Sequence, residues 1–315
     1  MKHFFKFFKG MIIGIGAILP GVSGAVIAVS FGVYKDLVIA LDGVLKHPLK
    51  SIKSIWQYLI GIAVGVVISY FFISAIFKYA PLPITFLFLG LILGEIPQMI
   101  KEMKKVKLQY SHIVTALVAS GTMIAVLFLP AVSHNFDGAI KYLIYALIGM
   151  LMALSFIVPG LSGTMLLMAL GFYTIFLNVG NEARFAIQNG DLKTLFSFAP
   201  DILIIFLGLI IGALILVRPI HWALKKKPNH FNFAVLGIVL ISPVNILLSL
   251  KKENEIDIKS DPNITNIFDA VWWIWVISGT LLVVGFIIAF LFLKKKETNE
   301  EDHEVIENEE DQRII

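Results

Sequence analysis

"LPGVSG" at residues 19–24 and "VPGLSG" at residues 158–163 place one pattern, Pro-Gly-x-Ser-Gly, inside two apolar stretches. Proline lacks an N–H and clashes with the preceding turn, and glycine adds backbone freedom, so a helix is expected to break at both sites. The surrounding runs, 10–41 and 141–180, are too long for one membrane-crossing helix and too short for two ordinary ones, since a crossing takes about 20 apolar residues.

The rest of the chain reads as membrane protein. It has 315 residues, 58% of them hydrophobic and 15% charged, with a mean hydropathy of +0.86. Soluble domains are far less apolar. There is no cysteine, which excludes disulfides, thiol catalysis and Cys-based metal sites. The net charge of +4 comes from lysines spread over short loops. They form no basic domain, so no nucleic-acid partner is expected. Further crossings are predicted at 57–77, 84–100, 112–130, 200–220, 231–250 and 271–293. Residues 1–9, "MKHFFKFFK", are predicted as an interfacial amphipathic helix. Residues 294–315 form an acidic tail predicted to be disordered.

Loop charge orders these segments. Lys2, Lys6 and Lys9 precede the first broken run, and Lys46, Lys50 and Lys53 follow it. Lysine-rich loops face the cytoplasm, so 10–41 is predicted to enter and leave on the same side as a re-entrant hairpin. Irregular backbone at that depth needs protein or a wet cavity around it. Carried forward, the rule puts Lys101, Lys104, Lys105 and Lys107 inside, along with Lys225–Lys227 and Lys294–Lys296. The second hairpin, 141–180, then opens outward. Both termini are cytoplasmic in this reading.

The two motifs belong to a longer repeat. At an offset of 139 (Pro20 to Pro159), "PGVSGAVIAVSFGVY" aligns with "PGLSGTMLLMALGFY". After an insertion of eight, "GLILGEIP" (90–97) aligns with "GIVLISPV" (237–244), and Gly61 and Gly65 align with Gly208 and Gly212. Such small-xxx-small pairs suit close helix packing. The fold class expected is an all-α polytopic membrane protein with an inverted-topology repeat. Repeat 1 (10–110) and repeat 2 (141–250) are each a re-entrant hairpin plus two crossings. Residues 112–130 are an extra linking helix and 271–293 a C-terminal helix. This is a secondary-transporter plan, with the site near the midplane.

Each hairpin restarts as a helix just after its Pro-Gly. A helix N-terminus carries free N–H groups and about half a positive charge. Two such termini facing each other would hold an anion without a buried Lys or Arg. The candidate binding residues are Pro20, Gly21, Ser23 and Gly24 at one tip, and Pro159, Gly160, Ser162, Gly163 and Thr164 at the other. Ser23 and Ser162 as plain N-caps is the competing explanation. Glu95 and Arg218 are the gating or coupling candidates, because charges within membranes are costly and usually functional. Snorkelling of Arg218 is the alternative. Glu95 is also the proton-coupling candidate, since burial favours the neutral carboxyl. The histidines show no H-E-x-x-H spacing, so no metal is expected. Trp272, Trp273 and Trp275 read as an interfacial belt.

The paired "PGVSG" and "PGLSG", the following "GVY" and "GFY", and "GLILGEIP" resemble the bacterial polyprenyl-phosphate (undecaprenyl-phosphate) transporter family, over about residues 8–290. The resemblance implies a plasma-membrane carrier that returns undecaprenyl phosphate from the outer to the cytoplasmic leaflet for cell-envelope synthesis. No enzyme activity and no cofactor are expected; the expected partners are the lipid and the bilayer, with a homodimer as one option that the sequence leaves open. Family members often have a second Gly after the first Ser-Gly, where this chain has Ala25. A small-anion transporter or channel is the alternative, and a lipid-phosphate phosphatase a weaker one.

Overall fold

A computed structural model describes residues 2–44, 47–104, 106–128, 138–158, 161–260 and 266–291. Pro159, Gly160 and the tail 294–315 lie outside the described residues. Among the described residues there are twelve α-helices, a short 3₁₀ turn (Ile267–Asp269) and no strand.

The first five helices are α1 (Lys2–Ile18), α2 (Gly24–Ser30), α3 (Tyr34–Val44), α4 (Pro48–Tyr79) and α5 (Pro81–Lys104). After α6 (Tyr110–Leu127), a matching succession follows: α7 (Ala139–Ile157), α8 (Gly163–Ala169), α9 (Tyr173–Gln188), α10 (Leu192–Lys226) and α11 (Pro228–Ser260). The last helix is α12 (Trp272–Leu291). Helices α2 and α8 begin directly after Ser23 and Ser162 and have seven residues each. Gly32 (φ 66) and Gly171 (φ 77) end them in left-handed turns. At each turn two consecutive N–H groups reach back: Gly32 to Val29 and Val33 to Ala28, then Gly171 to Met168 and Phe172 to Leu167. These are Schellman stops, which need a residue tolerant of positive φ. The repeated Gly-x-Tyr is therefore a helix stop followed by a helix start.

Among the described residues six helices are long and apolar enough to cross a membrane, with spans Pro48–Phe77, Pro81–Lys101, Ala139–Ile157, Phe196–Lys226, Pro228–Lys252 and Trp272–Leu291. Several differ from the expected segments. Helix α1 is continuous from Lys2 to Ile18, so no break separates residues 2–9 from the first hairpin arm. Phe4 and Phe5 point outward, while Lys9 turns inward and donates to the Phe31 carbonyl (3.0 Å) at the end of α2. A cation there complements the helix dipole. The apolar part of α6, Tyr110–Ala125, is shorter than the six. Helix α7 has 19 residues, about 28 Å at 1.5 Å per residue, and is long enough to cross by itself. The sharp bend falls later, 105° between α8 and α9.

Glycines set the helix pairing. A Cβ on Gly61 would lie 2.1 Å from the Phe7 carbonyl oxygen, and one on Gly208 2.2 Å from that of Ala146. Backbone meets backbone there, so α1 lies along α4 and α7 along α10. Helices α6 and α12 are related in the same way. They carry Ser120-Gly121-Thr122 and Ser278-Gly279-Thr280, a correspondence absent from the sequence alignment above. Helix α6 packs on α11 through Gly237, and α12 packs on α5 through Gly90 and Gly285. Each is thus laid against the fifth helix of the other succession.

Candidate functional site

The two motif segments meet. Ser23, Gly24, Ser162, Gly163 and Thr164 are buried, as are Pro20 and Gly21. The Ser23 hydroxyl donates to the Val158 carbonyl (3.1 Å) and lies 3.5 Å from that of Ser155. The Tyr34 hydroxyl donates to the Ile157 carbonyl at 2.6 Å, and that of Thr164 to the Ala17 carbonyl at 3.5 Å. All four contacts join residues of opposite halves. They supply donors to carbonyls around the helix break in an apolar interior, where Val158 also accepts from Leu161 N (3.3 Å). Gly21 takes φ 79 with Ile92 and Leu91 of α5 pressed against it. That position requires glycine on both counts.

The two tips differ in how their helix starts are used. Ser162 is an N-cap: its hydroxyl accepts from Met165 N (3.4 Å) and is 2.8 Å from that of Thr164. Gly163 N donates to the Ser155 hydroxyl at 2.7 Å. The N-cap reading therefore describes Ser162. Ser23 makes no side-chain cap, and its hydroxyl spans to the other tip instead.

The first tip opens on a cavity of about 120 Å³ lined by Gly21, Ser23, Val26, Leu91, Glu95 and α12 residues Ile288 and Ala289. Glu95 is buried, with 8% exposure, and it is the one ionisable group on this lining among the described residues. A carboxyl thus shares a small space with the hydroxyl and the left-handed glycine of the motif. Arg218 does not join it: it is exposed on α10 and is not part of that lining. Sequence reasoning missed Ser155, Tyr34 and Tyr70. The Tyr70 hydroxyl donates to the Phe176 carbonyl. Tyr34 sat in the quoted Gly-x-Tyr, and the pattern was the signal available. Ser155 had none, since its repeat counterpart is Gly16.

Residues 13–265 match the family described as VCA0040-like, undecaprenyl phosphate translocase-like. The chain belongs to that family. It is 27% identical over 258 residues to the "Polyprenyl-phosphate transporter" of Vibrio cholerae serotype O1, covering 76% of each chain. It is 24% identical over 298 residues to the "Polyprenyl-phosphate transporter" of Staphylococcus aureus, covering 89% of this chain and 93% of that one. No solved structure matches. With six helices apolar and long enough to cross, this translocase-like protein is a multi-pass membrane protein.

Proposed function

We propose that the protein carries undecaprenyl phosphate, or a related polyprenyl phosphate, from the outer to the cytoplasmic leaflet of the plasma membrane. The head group binds at the paired hairpin tips. In this reading the two successions are an inverted-topology repeat, and 10–41 and 141–180 are re-entrant, with both termini cytoplasmic. The apolar tail stays in lipid while the phosphate passes between the tips. The observation that supports it best is the direct junction of the motifs, Ser23 to Val158 and Tyr34 to Ile157, beside a cavity that Glu95 shares. The family match and the names of the two relatives support the cargo.

The mechanism follows from the bonds. The tips are closed on each other through these hydroxyl-to-carbonyl bonds. A phosphate enters by parting them. It receives the Ser23 hydroxyl and the N–H groups at the start of α2, donors that are strong toward an anion in apolar surroundings. Glu95 would repel a phosphate when ionised and tolerate it when protonated, so a proton entering with the lipid would couple the two. No covalent chemistry is required. The test is flipping of labelled undecaprenyl phosphate by purified protein in liposomes, for wild type and for Ser23→Ala/Ser162→Ala. Flipping that drops in the variant is expected. Ion flux in liposomes free of polyprenyl lipid, without flipping, would move the assignment to a small-anion transporter.

A further inference from the structure

Helices α6 and α11 run side by side in the same direction. His112 stacks on Phe233 (5.0 Å between centroids), and a Cβ on Gly237 would touch Ala116. Further along, Asn245 Nδ2 donates to the Met123 carbonyl (2.8 Å). Both N-termini therefore open at one end of the molecule. A cavity of about 490 Å³ lies between them. Lys107, Gln109 and His112 line it from the α5–α6 corner, and Lys226, Lys227 and His230 from the α10–α11 corner. Five of those six side chains are basic types. Among the described residues no acidic side chain lines it. His112 is buried to 2% exposure, its Nδ1 accepting from Gln109 N (3.3 Å), and its ring meets that of His230 edge-on at 4.6 Å. The cavity has a fixed aromatic floor and a cationic rim.

In the other half a cavity of about 250 Å³ lies beside Pro81, at the start of α5, and Ile267 of the 3₁₀ turn that precedes α12. Its polar lining is Thr174, Asn178, Asn181, Glu182 and Asn254, with no cation among the described residues. The two cavities thus differ in the charge of their described linings. The aligned N–H dipoles of α6 and α11 add to the lysine charge, and all of them favour an anion with several acceptor oxygens.

We infer that the cavity between the starts of α6 and α11, rimmed by Lys107, Lys226 and Lys227, is a phosphate-binding site. In the carrier reading, on which this role rests, it receives the head group on the cytoplasmic side after the tips release it. The lysine-poor cavity at the other end offers no competing site. Directional bias is thereby built into the ends of the path. The ligand chemistry is a phosphate monoester or free phosphate.

The test is lysine footprinting of the full chain in phosphatidylcholine nanodiscs. Acetylation rates at Lys107, Lys226 and Lys227 are read by mass spectrometry with geranylgeranyl phosphate, inorganic phosphate or geranylgeraniol added. Lys35 and Lys193 serve as references. Geranylgeranyl phosphate is expected to slow the three lysines by roughly fivefold or more, with geranylgeraniol inert, because bound phosphate engages the ammonium groups. Protection by inorganic phosphate as well supports the site and makes free phosphate a ligand. No protection by either phosphate overturns the inference. The variant Lys107→Gln/Lys226→Gln/Lys227→Gln is expected to lower flipping at least about tenfold in low salt, less in high salt. Protection without any flipping by the wild type removes the carrier reading and leaves the site. Flipping at the wild-type rate in the triple variant, with no footprint, removes the site and leaves the carrier.

Discussion

The two shortest hydroxyl-to-carbonyl bonds across the closed tips are Ser23 to Val158 and Tyr34 to Ile157. Replacing both donors, in Ser23→Ala/Tyr34→Phe, removes them with little change of shape. Each such bond contributes about 1 kcal/mol net, so the pair amounts to about 2 kcal/mol, a factor of roughly 30 in the open-to-closed ratio. The Tyr34 part is a lower bound, because the Ile157 carbonyl loses its hydroxyl partner in the closed form, whereas the Val158 carbonyl still accepts from Leu161 N (3.3 Å). The chain has no cysteine, so Val22→Cys, half-buried on the tip cavity, supplies a single reporter. Its rate of modification by a small water-soluble methanethiosulfonate is expected to rise by about that factor in the double variant. Each single variant should give about fivefold. An unchanged rate, in protein whose melting temperature matches the parent, would refute the idea that these bonds keep the tips together.

Glu95→Gln keeps size and hydrogen-bonding capacity but cannot titrate, so it should flatten the pH profile of lipid flipping; a profile that follows the wild type would remove Glu95 from coupling. Lys141 pairs with Asp201 at 2.8 Å, with side-chain exposures of 31% and 3%. Lys141→Ala strands that carboxylate and is expected to cost about 2 kcal/mol, less than a fully buried pair because Lys141 is partly hydrated. A thermal melt in detergent reads this, and Asp201→Asn/Lys141→Ala should recover part of the loss. Asp191 caps α10, accepting from Thr194 N (3.0 Å) and Oγ1 (2.5 Å), and these bonds hold its carboxyl below the ordinary value of 3.8. A depressed carboxyl stabilises the fold above its unfolded value and loses that contribution as pH falls through the folded one. Hydrogen-exchange protection at Thr194 should therefore persist at pH 5, fade in acid, and be absent at both in Asp191→Ala.

Sequence and tertiary structure contributed different things. The breaks at 19–23 and 158–162 were legible because Pro, Gly and Ser act on their own backbone within a turn. The repeat was legible for the same reason, since equal local chemistry leaves equal strings, and the matched lengths of α2 and α8 follow from it. Segment ends were less so: α4, α10 and α11 all run beyond their apolar cores, because helices continue past the hydrocarbon wherever no breaker intervenes. Ser-Gly-Thr stands in both α6 and α12, but a tripeptide alone does not relate two helices; only their packing on the opposite halves gives it meaning. Burial of Glu95 beside Gly21 and Ser23, with Arg218 apart from them, was beyond the sequence. So was the separation of roles between Ser162, a cap within its own tip, and Ser23, which bonds a carbonyl 135 residues away. Local strings fix where a helix must stop; which groups then satisfy the freed carbonyls depends on how whole helices pack, and that is set by glycine contacts spread along the chain.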